Sequence, residues 1–241
     1  MLVKTKAIVL HTLKIGETSM VVDMFAKESG RISFVVRIPK TTKARVRKQF
    51  FQPLTLLDLE FDYRPHIGLQ HIRDVRLAMP FTSIPFEPIK LSLTLFLAEF
   101  LYYVTRDEQQ NQSLFQYVEN SITWLDSAMH SYANFHLVFM MRLSRFVGFW
   151  PNLDDFHVGC YFDLRNASFT SSVPLHPDFL QSVEAEHILT LMRMNYESMH
   201  LFHLSRAERN RITELAILYY RLHIPQMPEL QSFSVLKELF S

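Results

Sequence analysis

The sequence predicts an α+β protein: a barrel of five short strands within residues 1–80, then a mainly α-helical domain over residues 81–241 with a small loop-and-hairpin insertion. Three observations predict it. Apolar residues alternate with period two in short runs before residue 80. Pro80, Pro85 and Pro88 punctuate the chain just beyond. After them the apolar period becomes helical.

In the first run Ala7, Val9 and His11 alternate with Ile8, Leu10 and Thr12. Residues Thr18–Ala26 form the second run, and Glu28-Ser29-Gly30 makes a turn. Ile32–Ile38 is a third strand, ended by Pro39. In Leu54–Tyr63, Leu57, Leu59 and Phe61 oppose Asp58, Glu60 and Asp62, and Leu69–Met79 follows a turn at Arg64–Gly68. Five strands of this size fit an OB-fold; an SH3-like barrel fits the same pattern. Helices are expected at Phe86–Arg106, Gln112–Ala128 and Tyr132–Phe149, the last stopped by Gly148 and Pro151. A loop-rich stretch over 152–177 holds a possible hairpin at Leu164-Arg165-Asn166. Further helices are expected at Leu180–Met194, from the capping box Ser205-x-x-Glu208 to His223, and at Leu230–Phe240.

Composition narrows the function classes. Apolar residues are 48% of the 241, enough to fill a core, and Gly is scarce at 5. No Gly-rich phosphate loop, nucleophile elbow or paired-histidine metalloprotease motif is present, so no enzyme activity and no cofactor are expected. Single Cys160 forms no internal disulfide and suits a reducing, cytoplasmic setting. The N-terminal apolar run is too short for a signal peptide. Leu91–Val104, interrupted by Glu99, is shorter than the roughly 20 residues of a membrane span and reads as a buried helix.

The net charge of +1 hides an asymmetry. Residues 1–80 hold 14 Lys and Arg against 7 Asp and Glu, while residues 81–241 hold 11 against 17. Arg31, Arg37, Lys40, Lys43, Arg45, Arg47 and Lys48 account for the excess, and no acid lies between Glu28 and Asp58. Such density on a barrel suits phosphates, with affinity that falls steeply with salt. Phe34, Phe50 and Phe51 flank the run; an exposed one would stack on a base, although Phe34 alternates with Val36 and Ile38 as a core residue does. A solvated loop is the competing reading.

Several short motifs resemble one family. Ala7-Ile8-Val9-Leu10, Gly16-Glu17-Thr18-Ser19 and Gly30-Arg31 resemble the opening of RecO-type DNA repair proteins. Gln52-Pro53 before Leu57 and Leu59 is similar to that family's fourth barrel strand, and Gly148-Phe149-x-Pro151-Asn152-Leu153 to its GF-x-PNL segment. The resemblance implies a recombination mediator. It would bind single- and double-stranded DNA, anneal complementary strands and help load recombinase onto strands covered by single-strand-binding protein. It implies a RecR-type partner, contact with the acidic tail of single-strand-binding protein, and a nucleoid-associated place in the cytoplasm. Many relatives carry a four-cysteine zinc element after the PNL segment. Here only Cys160 remains, with His157 and His176, short of four closed ligands; the hairpin is expected to pack through Tyr161, Phe162 and Phe169, and no metal is expected.

Arg142 and Arg145, three apart on the third helix, share a face near Phe135, Phe139 and Phe146. Arg142, Arg145 and Phe139 are candidates for gripping an acidic tail that ends in an aromatic carboxylate; pairing of both arginines with acids of neighbouring helices is the alternative. His200 and His203, Asp154-Asp155 and the cluster Met192, Met194 and Met199 are expected to be structural or solvated. A DNA-binding mediator is therefore the leading reading. The alternatives are an adaptor whose basic barrel loop binds an acidic protein and a metal-dependent hydrolase.

Overall fold

The computed structural model describes residues 1–38 and 46–239. Backbone packing divides the chain into two compact units, one comprising 1–127 with 229–239 and the other 128–228.

The first unit opens with strands β1 (Leu2–Ile15), β2 (Ser19–Ala26), β3 (Gly30–Arg37), β4 (Leu56–Asp62) and β5 (Leu69–Met79). They close into a barrel in the order β1-β2-β3-β5-β4. The β3–β5 pair is parallel and the other pairs are antiparallel, which is the OB-fold arrangement and not the SH3-like one. Strand β1 runs past the expected Ala7–Thr12 at both ends. Its first half pairs with β4 from Leu2 to Ile8, and its second half with β2 out to Ile15. A register shift between Val9 and His11 bends it between the two tasks, as bulges do at barrel corners.

Alternation fills the interior. Ile32, Phe34 and Val36 point inward from β3, while Arg31, Ser33, Val35 and Arg37 face the other way. Leu57, Leu59 and Phe61 meet them from β4, with Phe34 edge-on to Phe61 at 5.1 Å. A 3₁₀ turn, Lys48–Phe51, seats buried Phe51 in the same core, and half-buried Phe50 packs beside it.

Helices α1 (Pro88–Val104) and α2 (Gln112–Ser127) follow, and α6 (Ser232–Leu239) completes the unit. Pro88 at the first turn of α1 suits a position whose N–H has no helical partner. Glu99, the one charge in the apolar stretch, accepts from the backbone amides of Gln231 (3.0 Å) and Ser232 (2.8 Å), and so caps α6. Asp126 plays the same part for the connection into α1. It accepts from the amides of Thr82 (2.8 Å), Ser83 (2.9 Å) and Ile84 (3.0 Å). Burial alone would raise its pKa; those amides outweigh it and hold the carboxyl below its ordinary range.

The second unit packs α3 (Phe135–Leu143) against α4 (Ser182–Arg193) and α5 (Arg206–His223), beside a small sheet of β6 (Tyr161–Asp163), β7 (Ser168–Thr170) and β8 (Phe179–Leu180). The expected helix over Tyr132–Phe149 is shorter at both ends. After Leu143 the bonds tighten to three-residue spacing, Arg145 to Arg142 and Phe146 to Leu143, and the Ser144 hydroxyl donates to the Met141 carbonyl. Gly148, at φ +91°, ends the turn as the Phe149 amide reaches the Ser144 carbonyl at 3.1 Å. Phe149 then stacks on His223 at 4.6 Å and meets Tyr220 edge-on at 4.8 Å. The hairpin at Leu164–Asn166 is present, its turn organised by Asp163, which accepts from the amides of Arg165 and Asn166. Phe162 and Phe169 pack at 4.9 Å within it. The capping box at Ser205 and Glu208 is complete and opens α5.

Gly30, at φ +67°, sits where an added Cβ would lie 2.4 Å from the Gln109 carbonyl carbon. Gly30→Ala combines a backbone conformation that costs an L-residue about 1–2 kcal/mol with that clash. A loss of about 2 kcal/mol or more is expected in urea unfolding, and unchanged stability would show that the turn can move away from the loop.

His136 is buried, with its Nε2 3.0 Å from the Thr213 hydroxyl. Burial, reinforced by Arg209, depresses its pKa from 6.5 to about 3. The unfolded chain takes up this proton below about pH 6.5 and the folded chain does not until about pH 3. This contribution is therefore fully present above pH 6.5 and lost as pH falls, at up to about 1.4 kcal/mol per unit. Urea midpoints across this range should fall more steeply for the parent than for His136→Gln; parallel curves would refute the assignment.

Candidate nucleic-acid interface

The basic residues separate into three groups. Arg31 turns onto the protein. Its side chain is 11% exposed, with the guanidinium 4.3 Å from the centre of the Tyr102 ring, 3.1 Å from the Tyr102 carbonyl it donates to, and 3.6 Å from Asp23. Burial lowers its pKa, and Asp23 opposes the shift. The Arg31 amide also donates to the Glu108 carbonyl at 2.9 Å. Arg37, at the end of β3, and Arg47 and Lys48, at the 3₁₀ turn, are exposed. Lys40, Lys43 and Arg45 lie outside the described residues.

The barrel brings a further cation, Arg73, to the side of Arg37. In the parallel β3–β5 pair, Val35 stands opposite His71. Alternation carries Arg37 and Arg73 to the same outer side, and His71 and Arg73 are exposed. This pairing joins residues far apart in sequence, so local pattern could not reveal it; only the OB-fold strand order could. None of the three flanking phenylalanines is exposed: Phe34 and Phe51 are core and Phe50 is half-buried against it.

The ring surface lies elsewhere. His11 leans on Tyr102 at 4.8 Å, and Tyr102 meets Tyr103 edge-on at 5.0 Å. These rings line a cleft of about 1010 Å³ beside β1, the 3₁₀ turn and α1, with Lys14 and Lys48 also in its walls. The signal in the sequence was slight, since Tyr102 and Tyr103 read as part of an apolar helix.

In the second unit, Phe139 is fully buried and contributes to the core behind α3. Arg142 is half-buried and donates from Nη2 to the Met194 carbonyl at 3.0 Å, while its buried Nε has no hydrogen-bond partner among the described residues. Arg145 is exposed. Phe135 stacks on Tyr196 at 5.0 Å.

Cys160 is buried, His157 is exposed, and His176 lies 3.3 Å from Asp163. Among the described residues no three His, Cys, Asp or Glu side chains gather as metal ligands do. No described helix is long and apolar enough to cross a membrane.

Residues 1–81 match the family model described as "Recombination protein O N terminal", and residues 85–231 the one described as "Recombination protein O C terminal". Along its whole length the chain is 54% identical to the DNA repair protein RecO of Bacteroides fragilis and 52% to that of Phocaeicola vulgatus, with each relative covered completely. The DNA repair protein RecO of Flavobacterium johnsoniae is 30% identical, again with both chains fully covered. With an OB-fold barrel ahead of helices and relatives matched end to end, the chain belongs to the RecO family of DNA repair proteins.

Proposed function

We propose that this protein is a non-enzymatic recombination mediator that binds and anneals DNA through its barrel and helps load recombinase onto single-stranded DNA. The observation that carries the reading is the basic outer edge of the barrel, where Arg37 and Arg73, with His71 on the same pattern, share one side of β3 and β5, and no acid lies between Glu28 and Asp58. Arg47 and Lys48 are exposed nearby in sequence, and Lys40, Lys43 and Arg45 add charge between them and Arg37. Residues 1–80 are the DNA-binding barrel, and the helical residues 81–241 carry the surface for protein partners. Both DNA forms are ligands, because phosphate contacts ignore sequence and pairing. Arg31, committed to Tyr102 and Asp23, positions the basic segment and does not itself grip phosphate.

The partners are single-strand-binding protein, through its acidic tail, and a RecR-type protein, and the setting is the nucleoid of the cytoplasm. Arg142 and Arg145 are the tail contact. Arg145 is exposed and half-buried Arg142 lies one turn before it, so two guanidinium groups flank one surface for a carboxylate. Phe139 supports this surface from within.

Anisotropy with labelled single- and double-stranded oligonucleotides across a salt series tests DNA binding. Replacing Lys43, Arg45, Arg47 and Lys48 together with Ala should weaken binding and flatten the single-strand salt slope by up to about three units. An unaltered slope and affinity would remove this segment from the site. Negligible binding by the parent at physiological salt would favour the adaptor reading instead.

For the tail contact, titration with the acidic tail peptide should show about tenfold or greater loss in an Arg142→Ala/Arg145→Ala variant, since charge-assisted pairs contribute about 1.5–3 kcal/mol. Equal affinity in parent and variant would refute it.

A further inference from the structure

The cleft beside β1 has chemistry that phosphate gripping does not use. It is lined by a run of rings, His11, Tyr102 and Tyr103, set in place by the protein itself. Asp23 holds His11 by its Nδ1 at 3.4 Å, and the Arg31 guanidinium lies on Tyr102. Arg106 lies over Tyr103 at 5.5 Å. Tyr102 and Tyr103 are half-buried and His11 is exposed, so the run reaches solvent. Rings already ordered lose little freedom when a flat ligand arrives.

The charges in the cleft select the ligand. Lys14 and Lys48 line it and make no ion pair among the described residues. Of its two acids, Glu99 is committed to capping α6, which leaves Glu17 against two lysines. The volume of about 1010 Å³ is at the upper end of small-molecule sites. Ile38 and Lys48, which bracket the most basic part of the sequence, both line the cleft. A flat π-face attached to a phosphate meets both requirements, and a duplex keeps its bases stacked out of reach.

We propose that this cleft holds an unpaired nucleotide of single-stranded DNA, its base against the His11–Tyr102–Tyr103 rings and its phosphate near Lys14 and Lys48. The proposal rests on the DNA-binding reading above and adds to it a preference for bases that are free to leave the stack. Such a site would hold single strands with their bases splayed, in the state annealing starts from.

The test compares the full chain with Tyr103→Ala, His11→Ala and Tyr103→Phe on oligothymidylate, on an abasic strand of equal length and on a duplex. The parent should bind oligothymidylate more tightly than the abasic strand. Tyr103→Ala and His11→Ala should each weaken oligothymidylate binding about fivefold or more, the effect of losing one base–ring stack. Duplex affinity and salt slope should not change, and Tyr103→Phe, which keeps the ring, should bind as the parent does. Thermal melting checks that each variant folds; should Tyr103→Ala not fold, His11→Ala and Lys14→Gln carry the comparison. Equal affinity for abasic and base-bearing strands, or an equal loss on single strand and duplex, overturns the cleft while leaving the phosphate reading intact. Failure of the parent to bind any of the three overturns both.

Discussion

The close approach of the β2–β3 turn to the backbone after α1 is the constraint on which the first unit depends. Gly30 has no Cβ to separate it from Gln109, and the Arg31 amide bonds the Glu108 carbonyl. With the backbones in contact, the Arg31 side chain reaches back to Tyr102 and Asp23. The barrel is thereby fastened to a helix by one turn, and β3 leaves that turn with its direction set. Arg37, at the far end of β3, is delivered from a fixed base. Asp23, shared by Ser33, Arg31 and His11, links the same fastening to the aromatic cleft.

The polar side chains inside this protein do mostly structural work. Asp126 gathers three consecutive amides before α1, and Glu99 caps α6 from within an apolar helix. Asp163 organises the hairpin turn, and the neutral imidazole of His136 is paired with Thr213. Each satisfies buried donors or acceptors that would otherwise cost about 1–3 kcal/mol. His176, Arg31 and Glu99 each have an internal partner, whereas Arg37, Arg47, Lys48 and Arg145 face solvent. That separation tells which charges are accessible, which charge alone does not.

The short motifs that resemble the RecO opening and its GF-x-PNL segment have structural reasons to exist. Gly16, at φ +71°, makes the β1–β2 turn, and Gly30 makes the close approach. Gly148 ends the turn after α3, Phe149 fills the space against Tyr219, Tyr220 and His223, and the Asn152 amide bonds the Ala167 carbonyl of the hairpin. These positions mark where the backbone must turn or touch, so they identify the fold more directly than the interface.

Residue alternation by itself determined the five strands and the inward residues of β3 and β4, because a period of two survives in any register. Caps and breakers likewise determined the starts and ends of several helices: the Ser205 capping box and the prolines act within a turn of themselves, whereas Gly148 marked a turn and not the end of α3, which stops at Leu143. The concentration of charge before residue 50 was equally legible. Only the tertiary structure decided which of those charges are available. Arg31 and Phe139 read as surface candidates and are drawn inward by partners distant in the chain, Tyr102 and the core of the second unit. It also decided that β3 lies beside β5, placing His71 and Arg73 near Arg37, and that His11 meets Tyr102. Contacts across tens of residues leave no local period, so neither the β3–β5 pairing nor the His11–Tyr102 contact could be read from the sequence.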